Sequence, residues 1–235
     1  MAGWIAAISR RNVVPLLLRG LRQMDYAAGE SARISVSDGR GFRSCCGTNG
    51  ALARACETAG LSGGLGIAQV GLGLDLPGDA PPADIVVAIS AGAWGAARRG
   101  RGDVTLRKLA AELLAHGAAA AAAQRAGREL PGSWTLAAAS AATPDRLLVL
   151  RGDGPLAVGV GEGEQFAASN LDALLPETHR VIFPEEGDAA LLKCDDIGFV
   201  DAFGKTVVRA AVNLQTRGEF APPLPGALAR AASRP

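Results

Sequence analysis

Residues 151–188 read RGDGPLAVGVGEGEQFAASNLDALLPETHRVIFPEEGD and alternate short apolar runs with glycine, proline and acidic punctuation. The runs at 156–160, 165–168 and 180–183 have strand length, and turn residues bound each of them. Gly159-x-Gly161-x-Gly163 looks like a dinucleotide fingerprint, but a strand-like run follows it. No helix N-terminus is there to meet a pyrophosphate, so a tight hairpin is expected. Glu185, Glu186 and Asp188 suggest a metal cluster, yet Pro184 and Gly187 between and beside them predict an exposed turn. Further strands are expected outward from this stretch, at 134–139 and 146–150 before it and at 189–193, 198–201 and 206–208 after it.

The N-terminal half mixes both periods. A strand at 3–8 leads through Arg10-Arg11-Asn12 into a helix over 13–24, where Val14, Leu17, Leu18 and Leu21 share a face and Arg19 and Arg22 lie outside it. Pro15 is tolerated in the first turn. Strands are expected at 32–37, 65–70 and 85–90, with a helix over 51–59 after the Gly47-Thr48-Asn49-Gly50 turn. Asp103 opens a helix carrying Leu106, Leu109, Leu113 and Leu114, followed by an alanine run at 118–123. Strands in such number need a covering layer, which the helices provide. Nothing forces a second domain. One domain over 1–218 and a flexible tail over 219–235 are expected.

The chain has 235 residues, 49% of them hydrophobic, which is enough for a substantial core. The 24 basic residues nearly balance the 23 acidic ones, so no net field would hold nucleic acid or an acidic membrane surface. No run approaches the roughly 20 apolar residues of a membrane span. The opening MAGWIAAISRR lacks the order of a secretory signal, so a cytoplasmic location is expected. Cys45, Cys46, Cys56 and Cys194 contain no Cys-x-x-Cys pair, and Cys45 and Cys46 are too close to form an unstrained disulfide. Reduced thiols, with Cys46 in a loop, and no metal or cofactor are the expectation. His116 and His179 have no acidic neighbour and read as surface or satisfied histidines.

The order of turns and strands resembles the class II glutamine amidotransferase domain of glucosamine-6-phosphate synthase. The resemblance runs through residues 1–26, GLSGGLGIAQ at 60–69, IVVAISAGAW at 85–94 and residues 151–188, and reaches about Gln215. The last stretch is the most specific. It implies an α+β fold, a four-layer αββα sandwich of the N-terminal nucleophile hydrolase type. The family's sugar isomerase part has no counterpart in the chain.

In that family an N-terminal cysteine attacks the glutamine amide, its own α-amine handles the proton, and an oxyanion hole holds the tetrahedral intermediate. An arginine and an aspartate hold the substrate's carboxylate and ammonium groups. Carried over by position, the resemblance puts Ala2 at the nucleophile, followed by Gly3 and Trp4. A methyl group cannot form a thioester. The arginine-bearing loop becomes Gln69-Val70-Gly71-Leu72-Gly73-Leu74-Asp75, with Gly71 and its neighbours offering no cation. The oxyanion Asn-Gly pair falls at Ser90-Ala91 or at Ala91-Gly92, and losing such a donor costs about 3 kcal/mol of transition-state stabilisation. Asp103, in Gly102-Asp103-Val104-Thr105, is the residue aligned with the family's aspartate. A second family arginine is missing where this chain has Tyr26-Ala27-Ala28-Gly29-Glu30-Ser31.

The resemblance therefore implies a catalytically inactive relative retained as a protein-binding or regulatory module. Its expected partner is a synthase- or isomerase-like subunit or another copy of the chain. Trp94, Arg98, Arg99 and Arg101 border the former pocket and form the expected interface. Two alternatives stand beside this reading. One is a glutamine-hydrolysing enzyme whose cysteine was replaced by Ala2, and the other is a pocket that binds a small metabolite without turnover. A cut before Cys46 would create a new Cys-Gly terminus, but it would also remove the strand and helix that begin the fold.

Overall fold

Alternation along strand β1 (Gly3–Ser9) sets the layers. Ile5 and Ala7 face a core shared with helices, while Trp4, Ala6 and Ile8 face a core shared with a second sheet. The computed structural model describes residues 3–24, 30–48, 50–71, 85–91 and 133–214. Their elements run β1, α1 (Val14–Gln23), β2 (Ser31–Ser37), β3 (Phe42–Thr48), α2 (Leu52–Thr58), β4 (Leu65–Val70), β5 (Ile85–Ala91), β6 (Trp134–Ser140), β7 (Leu147–Arg151), β8 (Ala157–Val160) and β9 (Glu164–Ala168). A 3-10 turn (Leu171–Ala173), β10 (Arg180–Ile182), β11 (Ala189–Lys193), β12 (Asp196–Val200), β13 (Thr206–Val207) and β14 (Ala211–Asn213) follow.

The first sheet has the order β14-β10-β8-β9-β1-β4-β2-β3, and the second β13-β12-β11-β7-β6-β5. All the pairings are antiparallel. Between the sheets lie Leu65, Ile67, Leu147, Val149 and Leu192, with Ala6, Ala137, Ala139 and Ala167 as small spacers. The alanine-rich composition is thus built into the sheet-to-sheet contact. On the other face of the first sheet, α1 buries Val14, Leu16, Leu17, Gly20 and Leu21. A Cβ at Gly20 would stand 2.3 Å from Ile5 Cδ1 and 2.9 Å from the Ala173 carbonyl oxygen, so glycine lets the helix approach β1. Asn12 Oδ1 ties the start of α1 to the loop before β4, accepting the Val14 and Gly63 amides at 3.1 and 3.3 Å.

This is the expected α+β sandwich, with helices over the first sheet. The helix opening at Asp103, the alanine run and the tail over 219–235 lie outside the described residues. The expected hairpin joins β8 to β9, where Gly161 N donates to Glu164 O at 3.0 Å and Gly163 takes φ +68°. Asn170 starts the 3-10 turn by accepting the Asp172 amide at 3.0 Å.

Two expectations are corrected. Cys46 lies in edge strand β3, opposite Arg33 of β2, not in a loop. Asp188 is 1% exposed, whereas Glu185 and Glu186 are exposed as expected. It accepts the Glu185 amide at 2.7 Å and two N–H groups of Arg209 at 2.8 and 2.9 Å. A charge-assisted fork of this kind compensates a buried carboxylate. Arg209 lies on the segment passing from β13 in the second sheet to β14 in the first, so the pair clamps two crossings between the sheets. Strands β3 and β14 add to those expected.

Candidate functional site

The N-terminal end of β1 lies mid-sheet, between β4 and β9, with Gly3 opposite Val70. Side chains alternate there, so Trp4 projects between the sheets and is 0% exposed. Its backbone is held from β9: Trp4 N donates to Ser169 Oγ at 2.9 Å, and Ser169 N donates to Trp4 O at 3.0 Å. Its indole reaches the second sheet, where Nε1 donates to Thr135 O and Oγ1 at 3.3 and 3.2 Å. Thr135 Oγ1 in turn lies 2.6 Å from Ser90 Oγ. A hydrogen-bonded chain therefore runs from β1 through β6 to β5, and it engages the Ser90 hydroxyl.

Of the residues expected in the pocket, the structure places Gly3, Gly71, Ser90 and Ala91. Gly71 follows β4 at φ +96°, and Ala91 pairs with Trp134. Ala2, Gly92 and Asp103 lie outside the described residues, as do the expected interface residues Trp94, Arg98, Arg99 and Arg101. Trp4, Thr135 and Ser169 were not foreseen as site residues. The alternation of β1 could have placed Trp4 between the sheets, but its partners across the sandwich left no local signal. Gly3, Trp4, Gly71, Ser90, Thr135 and Ser169 supply hydroxyls and an indole, with no carboxylate, thiol, imidazole or cation among them. The register places a cation two strands from β1: Arg33 lies opposite Gln69, which lies opposite Trp4, and Arg33 Nε donates to Cys46 Sγ at 3.1 Å.

A cleft of about 730 Å³ lies at the other end of β1, lined by Ile8, Ser9, Ser37, Gly64, Lys193 and Asp195 among others. Six residue steps of strand separate the two ends, roughly 20 Å. This cleft is therefore remote from the N-terminal end of β1. Its charges are largely matched locally, Arg10 to Asp195 at 2.5 Å and Arg146 to Asp145 at 3.4 Å. Backbone N–H groups of Arg40 and Gly41 lower the Asp38 pKa. Among the described residues no group of three or more His, Cys, Asp or Glu could hold a metal ion, and no helix is long and apolar enough to cross a membrane. His179 is exposed.

No protein-family model matches the chain. It is 34% identical over 245 aligned positions to the glutamine–fructose-6-phosphate aminotransferase (isomerizing) of Pseudomonas aeruginosa, across 94% of this chain and 40% of that protein. The Escherichia coli O6:H1 protein of the same name is 33% identical, across 92% of this chain and 39% of its own length. The chain thus spans about 40% of these curated relatives. Among solved structures, glutamine phosphoribosylpyrophosphate amidotransferase of B. subtilis superimposes with TM-score 0.60 at 13% identity, across 85% of this chain and 49% of that one. A glutamine aminotransferase class-II domain protein from Silicibacter pomeroyi gives TM-score 0.52 at 11% identity, across 85% and 98%. By sequence and by fold, the chain belongs to the class II glutamine amidotransferase domains of the glucosamine-6-phosphate synthase type, with an N-terminal nucleophile hydrolase fold.

Proposed function

We propose that this domain does not hydrolyse glutamine and serves as a protein-binding or regulatory module. The feature that carries the reading is Ala2, the residue that the resemblance aligns with the family's nucleophilic cysteine. Covalent amide cleavage needs a nucleophile that can lose a proton, and alanine has none. Two further features support it: the aligned loop after β4 holds Gly71 and no arginine, and the Ser90 hydroxyl bonds to Thr135. The partner is a sugar-phosphate aminotransferase or isomerase subunit, the activity named for the relatives whose remaining 60% this chain does not span. The protein works in the cytoplasm.

Affinity purification from the native cell followed by mass spectrometry tests the module. A stoichiometric aminotransferase- or isomerase-like subunit is expected, and recovery of the chain alone would count against it. The 34% identity across 94% of the chain supports a second reading, a glutaminase whose cysteine has been replaced by Ala2. The codon in the native gene decides between them, because a cysteine codon would restore the hydrolase.

A further inference from the structure

Three of the four cysteines gather where β3 meets α2. Cys45 is 7% exposed and Cys56 2%, and both belong to the helix-side core. The Cys45 thiol donates to the Ala55 carbonyl oxygen at 3.7 Å, which puts its sulfur beside the residue preceding Cys56. Strand β3 and helix α2 pack directly on one another, so both buried thiols belong to the seam between them. Cys46, the next residue along β3, bonds to Arg33, and Cys194 follows β11 in the second sheet.

Helix α2 is lightly held. It has seven residues, no side-chain cap at its N-terminus, and only Leu52 and Cys56 buried. From β3, Arg43 reaches its C-terminal end, donating to Ala59 O at 2.5 Å and Gly60 O at 3.5 Å. An element with so few buried apolar contacts opens locally at low cost. Cys56 also lines a groove of about 430 Å³ between α1 and α2, with Leu18, Arg19, Arg22 and Glu57 among its neighbours.

We propose that Cys45 and Cys56 form a redox-sensitive pair, which a low-molecular-weight disulfide oxidises to an intramolecular disulfide stapling α2 to β3. The thiolate of one cysteine attacks a sulfur of the reagent, breaking its S–S bond and forming a mixed disulfide. The released thiolate takes up the proton. The second cysteine, deprotonated in turn, attacks the protein sulfur of the mixed disulfide and expels the second half of the reagent as a thiol. The protein loses two electrons and two protons, and the reagent gains them. Burial pushes the Cys56 thiol up to about 12, so the closed helix protects the pair and reaction proceeds when α2 opens. The staple then fixes one wall of the groove between the helices.

The test is incubation of the full chain with oxidised glutathione, with and without urea well below the unfolding midpoint. Intact mass should fall by two hydrogens with no glutathione retained, faster in urea. Tryptic peptides should show the 44–54 segment joined to the segment beginning at Ala55. Cys46→Ser should keep the link, and Cys45→Ser and Cys56→Ser should each lose it. Amide exchange in α2 should slow at least about tenfold after oxidation. A link between Cys45 and Cys46, a glutathione adduct on Cys46 with the pair left reduced, or no reaction in urea would each overturn the proposal. Fragmentation of the joined wild-type peptides, which assigns the bond to Cys45 or to Cys46, decides the matter even if a variant fails to fold, and a Cys46–Cys56 bond would overturn the proposal.

Discussion

Replacing Trp4 with Phe tests the structure around the N-terminal end of β1. Trp4 is 0% exposed, and its indole N–H bridges to Thr135 on the opposite sheet. Phenylalanine keeps most of the apolar contact but loses that donor, at a net cost of about 1 kcal/mol. The void left is roughly 40 Å³, and at about 24 cal/mol per Å³ it adds about 1 kcal/mol. A total near 2 kcal/mol lowers Tm by roughly 4–8 °C for a chain of this size. Thermal unfolding followed by circular dichroism reads this directly. A cycle with Thr135→Val separates the hydrogen bond from the packing, and the two changes should couple by roughly 1 kcal/mol. A Tm loss under about 1 °C, or no coupling, would refute a cross-sheet role for the indole.

Other perturbations follow from single features of the fold. Asp188→Asn should destabilise by about 1–3 kcal/mol, because it removes the buried carboxylate that accepts the Arg209 fork and leaves only the exposed Glu185, 2.7 Å away, to pair with it; denaturant titration checks this, and a change below about 0.5 kcal/mol would contradict it. Gly20→Ala should cost about 1–3 kcal/mol by pushing α1 off Ile5, so an unchanged urea midpoint would show the helix free to shift. The Cys56 thiol is raised from 9.0 to about 12, so its contribution is complete below pH 9 and is lost as pH rises toward 12, where the unfolded thiol ionises and the folded one does not. Melting curves over that range should fall more steeply for the wild type than for Cys56→Ala, and parallel curves would rule the thiol out.

The readable parts of the fold were those with a clean period. β1, β4 and β6 carry apolar residues on both faces, and α1 carries Val14, Leu17 and Leu21 on one side, so sequence pattern and burial coincide. Strand β3, FRSCCGT, has no such pattern: it is an edge strand whose Cys45 meets α2 while Arg43, Ser44 and Thr48 are exposed. Strand β14 is exposed along its length and exists because β10 offers it a partner. Asp188 sits among turn residues that predict exposure, and its partner Arg209 comes from 21 residues away. Among the expected pocket residues, the backbone positions of Gly3 and Gly71 at the paired ends of β1 and β4 follow from the strand pattern. The site was hidden where it depends on contacts across the sandwich, as in the chain from Trp4 through Thr135 to Ser90.

Ammonia release from glutamine by the purified chain measures the central claim most directly. On the proposal that Ala2 occupies the nucleophile position, the chain should release no ammonia above buffer. Turnover by this chain as written would contradict the account, since a nucleophile other than residue 2 would then have to exist.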